Sequence, residues 1–477
     1  MIGKYKKIYS WGLLLITLAV FSGVGNISLA YEAVNIPDKK LEEAIREELG
    51  KPAGDITEAD MELLTNLNAY DSEISDITGL ECATNLEELY LRNNEISDIS
   101  SLSRLKKMEI LYLSGNRISD ISPLSGLTDL KNLDLGSNHI SDISALSGLK
   151  NLKTLDLNSN RVSSIDALSG LSSLSSLYLW GNQIESVSAL SGLVGLEWLE
   201  LWDNRISNTL PLSTLTNLRG LCLGRNRIND ISALSGLKNL VVLELYNNRI
   251  SGIDALSGLK KLEELYLWDN QISDISALSG LGKLEILDLD NNRISDISVL
   301  PCLSNLWGLD LSHNKISNIL VISGLKNLEV LFLKDAGLGD ISFLSALTNL
   351  HNLDISYNRI SNISVLSDLT NLKRIDLRYN SLDITAGSET MFLINELIDR
   401  DATVIYISFG DLTGDSKVDV NDAIWLLRSV VDLMKLTPTQ RAVADVNGDA
   451  QVNVQDAILI LRYIVKLIYD FPVLQGV

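Results

Sequence analysis

The sequence predicts an α/β chain, a long solenoid of short parallel strands with a 3₁₀-rich convex side, closed by a small all-α domain at its C-terminus. Three observations carry that expectation. From Asn94 onward an asparagine returns every 22 residues, and an apolar LxL triplet precedes it. The same acidic twelve-residue pattern begins at Asp411 and again at Asp445, and each copy runs into an apolar helix. At 477 residues the chain is too long for one ordinary compact core, which suits a repeat architecture.

The first 30 residues read as a secretion signal. Lys4, Lys6 and Lys7 make a positive start, residues 11–24 are apolar, and Ser28-Leu29-Ala30 places small residues where a signal peptidase cuts. A membrane anchor is the rival reading. The apolar run is short for a span, which favours cleavage, and no later stretch is long enough to cross a bilayer. Removal takes three of the 40 basic residues and none of the 61 acidic ones, so the net charge of −21 becomes −24. That balance excludes nucleic acid and anionic lipid as expected partners. The mature protein is expected to be soluble and extracellular.

The repeating unit, as in LEELYLRNNEISDISSLSRL, follows the pattern LxxLxLxxNxIxxI, which is identified as the leucine-rich repeat. The asparagine stands every 22 residues from 94 to 314 and again at 358 and 380, with Ala336 in the one missing slot. Counting a degenerate unit around Ser72, fifteen copies fill residues 66–384. Alternation buries both leucines of LxL and turns the residue between them outward. The asparagine amide is expected to bond backbone groups at the turn. Short 3₁₀ turns are expected on the convex side, because so short a repeat leaves little room for a helix. No unit covers its own apolar face, so neighbours must stack. Residues 31–65 place Leu41, Ala44, Ile45 and Leu49 at helical spacing and resemble the N-terminal cap of internalin-like secreted proteins. Residues 385–408 read as a closing helix and strand.

Residues 411–422 and 445–456 have the spacing of calcium loops. Positions 1, 3, 5, 7, 9 and 12 are Asp411, Thr413, Asp415, the Lys417 carbonyl, Asp419 and Asp422 in the first. In the second they are Asp445, Asn447, Asp449, the Gln451 carbonyl, Asn453 and Asp456. A hard cation needs six to eight oxygens, which one turn of such a loop supplies. Position 12 is Asp where a longer Glu is usual. Position 6 is Ser416 and Ala450, where Gly would turn most easily at a saving of about 1 kcal/mol.

With both loops and both following helices, residues 409–470 resemble a type I-like dockerin, an EF-hand-like module that binds cohesin domains of a cellulosome scaffold. The resemblance implies two Ca²⁺ ions and a near-two-fold pair of helices. It also implies cohesin contacts through Val420, Asn421 and Arg428, and through Val454, Gln455, Arg462 and Lys466. Asp432 stands where the second copy has Lys466, which weakens the symmetry.

On the strands, Tyr178, Trp180, Trp198, Trp202, Tyr246, Tyr266 and Trp268 occupy outward slots near the middle of the concave face, with Glu200, Asp203, Glu244 and Asp269 among them. They form a candidate binding face for a protein or a polysaccharide, since Trp and Tyr anchor interfaces and sugars stack on flat rings. An ordinary ladder of surface aromatics is the alternative. His139, His313 and His351 fall in different repeats and form no metal spacing or nucleophile–base pair. Asp134 and Asp156 sit at a glycosidase-like separation only because the repeat imposes it. Cys82, Cys222 and Cys302 are several repeats apart and are expected to be free thiols.

The expectation is a secreted, monomeric, non-catalytic cellulosome subunit that acts in polysaccharide breakdown by association. A cell-surface adhesin is the main alternative, and a glycan-active hydrolase a lesser one.

Overall fold

In the strand β2 (Glu88–Tyr90) the central Leu89 points inward while its neighbours face out, and Leu89 and Leu91 are fully buried. That alternation, repeated, generates the molecule. The computed structural model describes residues 32–384, 387–406, 409–414, 417–468 and 471–472. The expected signal at 1–30 lies outside them.

Among the described residues sixteen three-residue strands form one parallel sheet in sequence order. From β1 (Asn66–Asn68) to β15 (Arg374–Asp376) they recur once per repeat in strict register, so that Leu67, Leu89 and Leu111 stand side by side. These are the fifteen strands of the repeats, and β16 (Thr403–Ile405) is the closing strand, paired to β15. The convex side is built of 3₁₀ turns such as Ser122–Gly126 and Ser144–Gly148, whose Leu124 and Leu146 are buried. A carboxylate starts most of these turns. Asp120 Oδ1 accepts from the Ser122 N–H at 2.8 Å, and Asp98, Asp142, Asp230, Asp274 and Asp296 repeat the arrangement.

The asparagine ladder reaches further than its own turn. Asn204 Oδ1 accepts from Ile184 N at 2.9 Å in the preceding repeat. Its Nδ2 donates to the carbonyls of Leu179 and Leu201 at 3.0 and 3.1 Å and of Trp202 at 3.3 Å. Each amide thus ties two repeats together. Where Ala336 interrupts the ladder, the preceding repeat carries a six-residue 3₁₀ turn, Ile319–Gly324, with Leu320 exposed. The residue before each asparagine is left-handed. Only Gly115 and Gly181 are glycine there, while Arg225 and Tyr379 hold φ of 51° and 55° at a cost of roughly 1 kcal/mol each.

A second ladder lies at the other end of the strands. Asn217 and Asn239 donate to Val194 O and Thr216 O, each at 2.9 Å, and Asn305, Asn327 and Asn349 continue the series.

The N-terminal helix α1 (Lys39–Leu49) buries Leu41 and Ile45 against the first repeats. Asp38 caps it through the Lys40 and Leu41 N–H groups, and its other oxygen accepts from Ser75 N and Asp76 N, which pins the helix to the solenoid. Gly50, at φ 60°, ends it. Helix α2 (Glu58–Met61) opens with a capping box between Thr57 and Asp60.

After β15, α3 (Glu389–Asp399) packs on the last 3₁₀ turn and leads into β16. The C-terminal helices α4 (Val420–Val430), α5 (Pro438–Ala444) and α6 (Val454–Ile464) enclose a second core that contains Leu412, Ala423, Leu426, Val443, Ala457 and Ile460. Ile405 of β16 belongs to this second core, while its neighbour Val404 belongs to the first. Helix α5 packs on β16, and the Arg378 guanidinium, paired to Asp376, lies 3.8 Å from the Phe409 ring centroid. The small domain therefore sits directly on the last strand of the solenoid. Among the described residues no helix is long and apolar enough to cross a membrane.

Candidate functional site

The two acidic loops wrap in nearly the same way. In the second, Asp445 ends α5 and takes the N–H groups of Gly448, Asp449 and Ala450 at 2.8 to 3.1 Å. Asp456, at position 12, is fully buried. Its Oδ1 accepts from Val446 N, and its Oδ2 from Asn453 N at 2.9 Å, which closes a capping box at the start of α6. In the first, Asp422 is equally buried and accepts from Thr413 N at 2.9 Å and Asp419 N at 2.8 Å. A short Asp at position 12 serves this geometry, because it clamps both ends of its loop to the helix. Gly414 and Gly448 turn at φ 75° and 76°, and Ala450 is held at φ 62°, so position 6 carries the strain its residue type implies. Asp415 and Ser416 lie outside the described residues.

Among the described residues no cationic side chain is paired to Asp422 or Asp456, and no three acidic, histidine or cysteine side chains stand close enough together to hold a metal ion. Burial, with Asp445 beside it, pushes the Asp456 carboxyl above its ordinary value. The donor types at this spacing, carboxylate, amide and hydroxyl oxygens, suit a hard divalent cation. Thr413, Lys417, Asn447, Asp449 and Gln451 line the outer turns of the loops, and Asp419 and Asn453 cap α4 and α6.

Beyond the loops, α4 and α6 pack side by side. Val420, Asn421, Arg428, Val454, Gln455, Arg462 and Lys466 are all exposed on them or just past their ends. Between these stand apolar side chains that the sequence reading passed over: Ile424 and Leu427 on α4 with Val431 and Leu433 just past its end, Ile458 and Leu461 on α6 with Val465 and Leu467 just past its end. The signal was present, since each has its counterpart at the same place in the other copy of the duplication. The match extends to exposure, at 76% for Leu433 and 73% for Leu467. Asp432 and Lys466 share a left-handed φ of 58°, so the two copies agree in backbone and differ in charge.

On the concave face the expected aromatics come together, but not as free flat rings. Trp180 and Trp202 stack at 4.3 Å and 8°, Tyr246 and Trp268 at 4.5 Å and 4°. Neighbouring strands bring identical slots within one ring thickness, so the faces are spent largely on each other and the rings are half-buried, not exposed. Between the stacks, β8 (Gly220–Cys222) offers only Gly220, Cys222 and Gly224 outward. A Cβ on Gly220 would fall 2.2 Å from the Trp198 ring, and one on Gly224 2.3 Å from Tyr246. Trp198 Nε1 donates to Glu200 at 2.8 Å and Tyr266 OH to Glu264 at 3.0 Å, while Tyr178 lies half-buried beside Glu200. A hollow of about 480 Å³ lies further along, lined by Asp310, His313, Phe332, Lys334 and Asp354. The three cysteines are free thiols.

Fold and sites together define a leucine-rich-repeat solenoid that carries an EF-hand-like helical module. Residues 76–118 match the leucine-rich repeat family and six further segments between 106 and 386 match its paired-repeat form, while residues 409–465 match the family described as dockerin type I domain. An internalin (inlF) from Listeria monocytogenes is 37% identical, with a TM-score of 0.67, over 68% of this chain and 98% of that one. The chain belongs to these internalin-like leucine-rich-repeat proteins, and it ends in a type I dockerin. A leucine-rich-repeat protein of Leptospira interrogans (23% identical, TM-score 0.63, 73% of this chain and 97% of that one) shares the fold. So does the functional domain of InlJ from Listeria monocytogenes (22% identical, TM-score 0.61, 73% and 82%). Among curated proteins none matches. Dockerins of this type bind calcium and imply a cohesin partner, and leucine-rich repeats imply protein interaction. Both are non-catalytic kinds of module.

Proposed function

We propose that the chain is a secreted, monomeric, non-catalytic subunit of a cellulosome, held there by its dockerin, whose solenoid recognises a protein or a polysaccharide during polysaccharide breakdown. The observation that carries the reading is the duplicated surface of α4 and α6, two matching apolar stripes beside two acidic loops that each bury their position-12 carboxylate. Asp411, Thr413, Asp415, Lys417, Asp419 and Asp422 hold one Ca²⁺. Asp445, Asn447, Asp449, Gln451, Asn453 and Asp456 hold a second. Bound calcium supplies the positive charge that lets these oxygens stay together. The chain itself fixes the helices, through the position-12 clamps, so that Val420, Asn421 and Arg428, or Val454, Gln455, Arg462 and Lys466, meet a cohesin with the apolar stripes beneath them.

Residues 1–30 direct secretion, 31–65 and 385–408 cap the rod, and 409–470 form the dockerin. The concave residues Tyr178, Trp180, Trp198, Trp202, Tyr246, Tyr266 and Trp268 form the ligand face. Capture on an immobilised cohesin scaffold tests the first part. Binding is expected in Ca²⁺ and absent in EDTA, and the double variant Val420→Asp, Val454→Asp is expected to lose it. Retention in EDTA would refute the assignment. Release of reducing sugar from plant polymers by the purified chain would overturn the non-catalytic reading.

A further inference from the structure

The outward slots of β5 (Thr154–Asp156) to β12 (Gly308–Asp310) are the first and third residue of each strand and the residue two further on. They contain no lysine, arginine or histidine. They do contain Asp156, Glu200, Glu244, Glu264, Asp288 and Asp310, besides Asp290, which His313 holds at 2.7 Å. Towards the two ends of the sheet the same face is neutralised from within. Arg92 meets Asp134 at 2.6 Å, and Arg378 meets Asp376. The middle carboxylates have neutral partners only. Asn158 serves Asp156, Trp198 serves Glu200 and Tyr266 serves Glu264. Arg219, which precedes Gly220, and Arg225, on the turn beside Tyr246, flank the gap at β8 without occupying its outward slots.

We propose that this central stretch docks a basic segment of a protein partner, its lysine and arginine side chains seated between the carboxylates and the aromatic stacks. The inference rests on the reading of the concave face as the ligand site, and it narrows the ligand to a cationic polypeptide. Charge complementarity is the argument. Asp288 and Asp310 are direct register partners on adjacent strands, a like-charge pairing that is unfavourable in the free protein and is relieved by a cation between them. Burial, with a neighbouring carboxylate, already pushes Asp288 up to about 6 and Asp310 to about 7, and Glu244 is raised by burial as well. The stacked rings keep only their outermost faces free, and the face of an indole or phenol attracts cations.

Deca-lysine titrated into the full-length, calcium-loaded protein, followed by tryptophan fluorescence, tests this. Saturable quenching that weakens with added salt is expected. Glu200→Gln with Glu244→Gln is expected to weaken binding roughly tenfold. The same charge change at exposed Glu47 and Glu185, off this face, is expected to leave it within about twofold. Melting temperatures of both double variants check that the fold is kept. Equal loss in the two double variants would overturn the proposal, as would absence of binding. If deca-lysine fails while cellohexaose binds and Trp202→Ala abolishes that, the cationic ligand is wrong and the ligand face stands. If neither probe responds to Trp202→Ala, both readings fall.

Discussion

The asparagine ladder makes adjacent rungs share acceptors, which has a measurable signature in Asn182→Ala and Asn204→Ala. The carbonyl of Leu179 accepts from Asn182 Nδ2 and from Asn204 Nδ2, each at 3.0 Å. That of Leu201 is shared in the same way by Asn204 and Asn226. Removing Asn204 alone therefore leaves both carbonyls with a partner. Only the buried Ile184 N–H, bonded to Asn204 Oδ1 at 2.9 Å, loses its acceptor. One orphaned buried donor costs about 1–3 kcal/mol, so about 2 kcal/mol is expected for the single change. The double variant orphans the Leu179 carbonyl too, together with Val162 N, which Asn182 serves at 2.9 Å. It should exceed the sum of the singles by about 1–2 kcal/mol. Urea unfolding followed by circular dichroism, at saturating calcium, measures all four corners of the cycle. A double variant that is additive within about 0.3 kcal/mol would refute acceptor sharing.

Two sets of carboxylates are expected to act on stability with opposite sign as pH changes. Asp156, Asp288 and Asp310 are raised in the folded state to about 6, 6 and 7, mainly by burial, so the folded protein takes up their protons first and gains stability as pH falls from 8 to about 5. Asp310→Asn should raise stability at pH 8 by about 1–2 kcal/mol after solvent screening, and by much less at pH 5. The turn-capping Asp120, Asp230, Asp274 and Asp296 are lowered by the N–H of the serine two residues on. Their contribution, present above the unfolded pKa near 3.8, is lost as pH drops through the lower folded values, and acid melts should collapse below about pH 3.5. Ala450→Gly removes a left-handed alanine at φ 62° and should stabilise the calcium-loaded dockerin by up to about 1 kcal/mol, measured by calorimetry; a loss of stability would contradict the strain. EDTA should lower the melting of the C-terminal domain far more than that of the central repeats, as hydrogen exchange can resolve, and uniform protection would refute the calcium dependence.

Period-based features were legible in the sequence. The LxL triplets, the ladder asparagines and the loop spacing each depend on a residue type recurring at fixed separation, and the fold follows them. What escaped was of two kinds. Ile424 and Leu433, with their counterparts Ile458 and Leu467, carried the signal of the duplication but stayed unremarked within the apolar run after each loop, because apolar spacing on a helix does not say which face meets solvent. The mutual stacking of Trp180 on Trp202, and the lean of Trp198 and Tyr246 over β8, where Gly220 and Gly224 leave the room, are side-chain arrangements that no alternation rule expresses. The division of β16 between two cores, Val404 in one and Ile405 in the other, was hidden for a plainer reason. A strand that ends one domain and begins the next carries one apolar pattern for both.

Only two residues separate Tyr406, at the end of the solenoid, from Phe409 in the dockerin core, and Arg378 bridges the two units by lying over the Phe409 ring. A module attached in this way is a bracket, not a tether. Held on a cohesin as proposed, the concave face would look in a direction set by the angle at that joint, and the sweep of a flexible arm would be lost. In the proposed assembly, whatever the rod holds would therefore be presented to neighbouring subunits at one bearing and one distance, which trades reach for alignment.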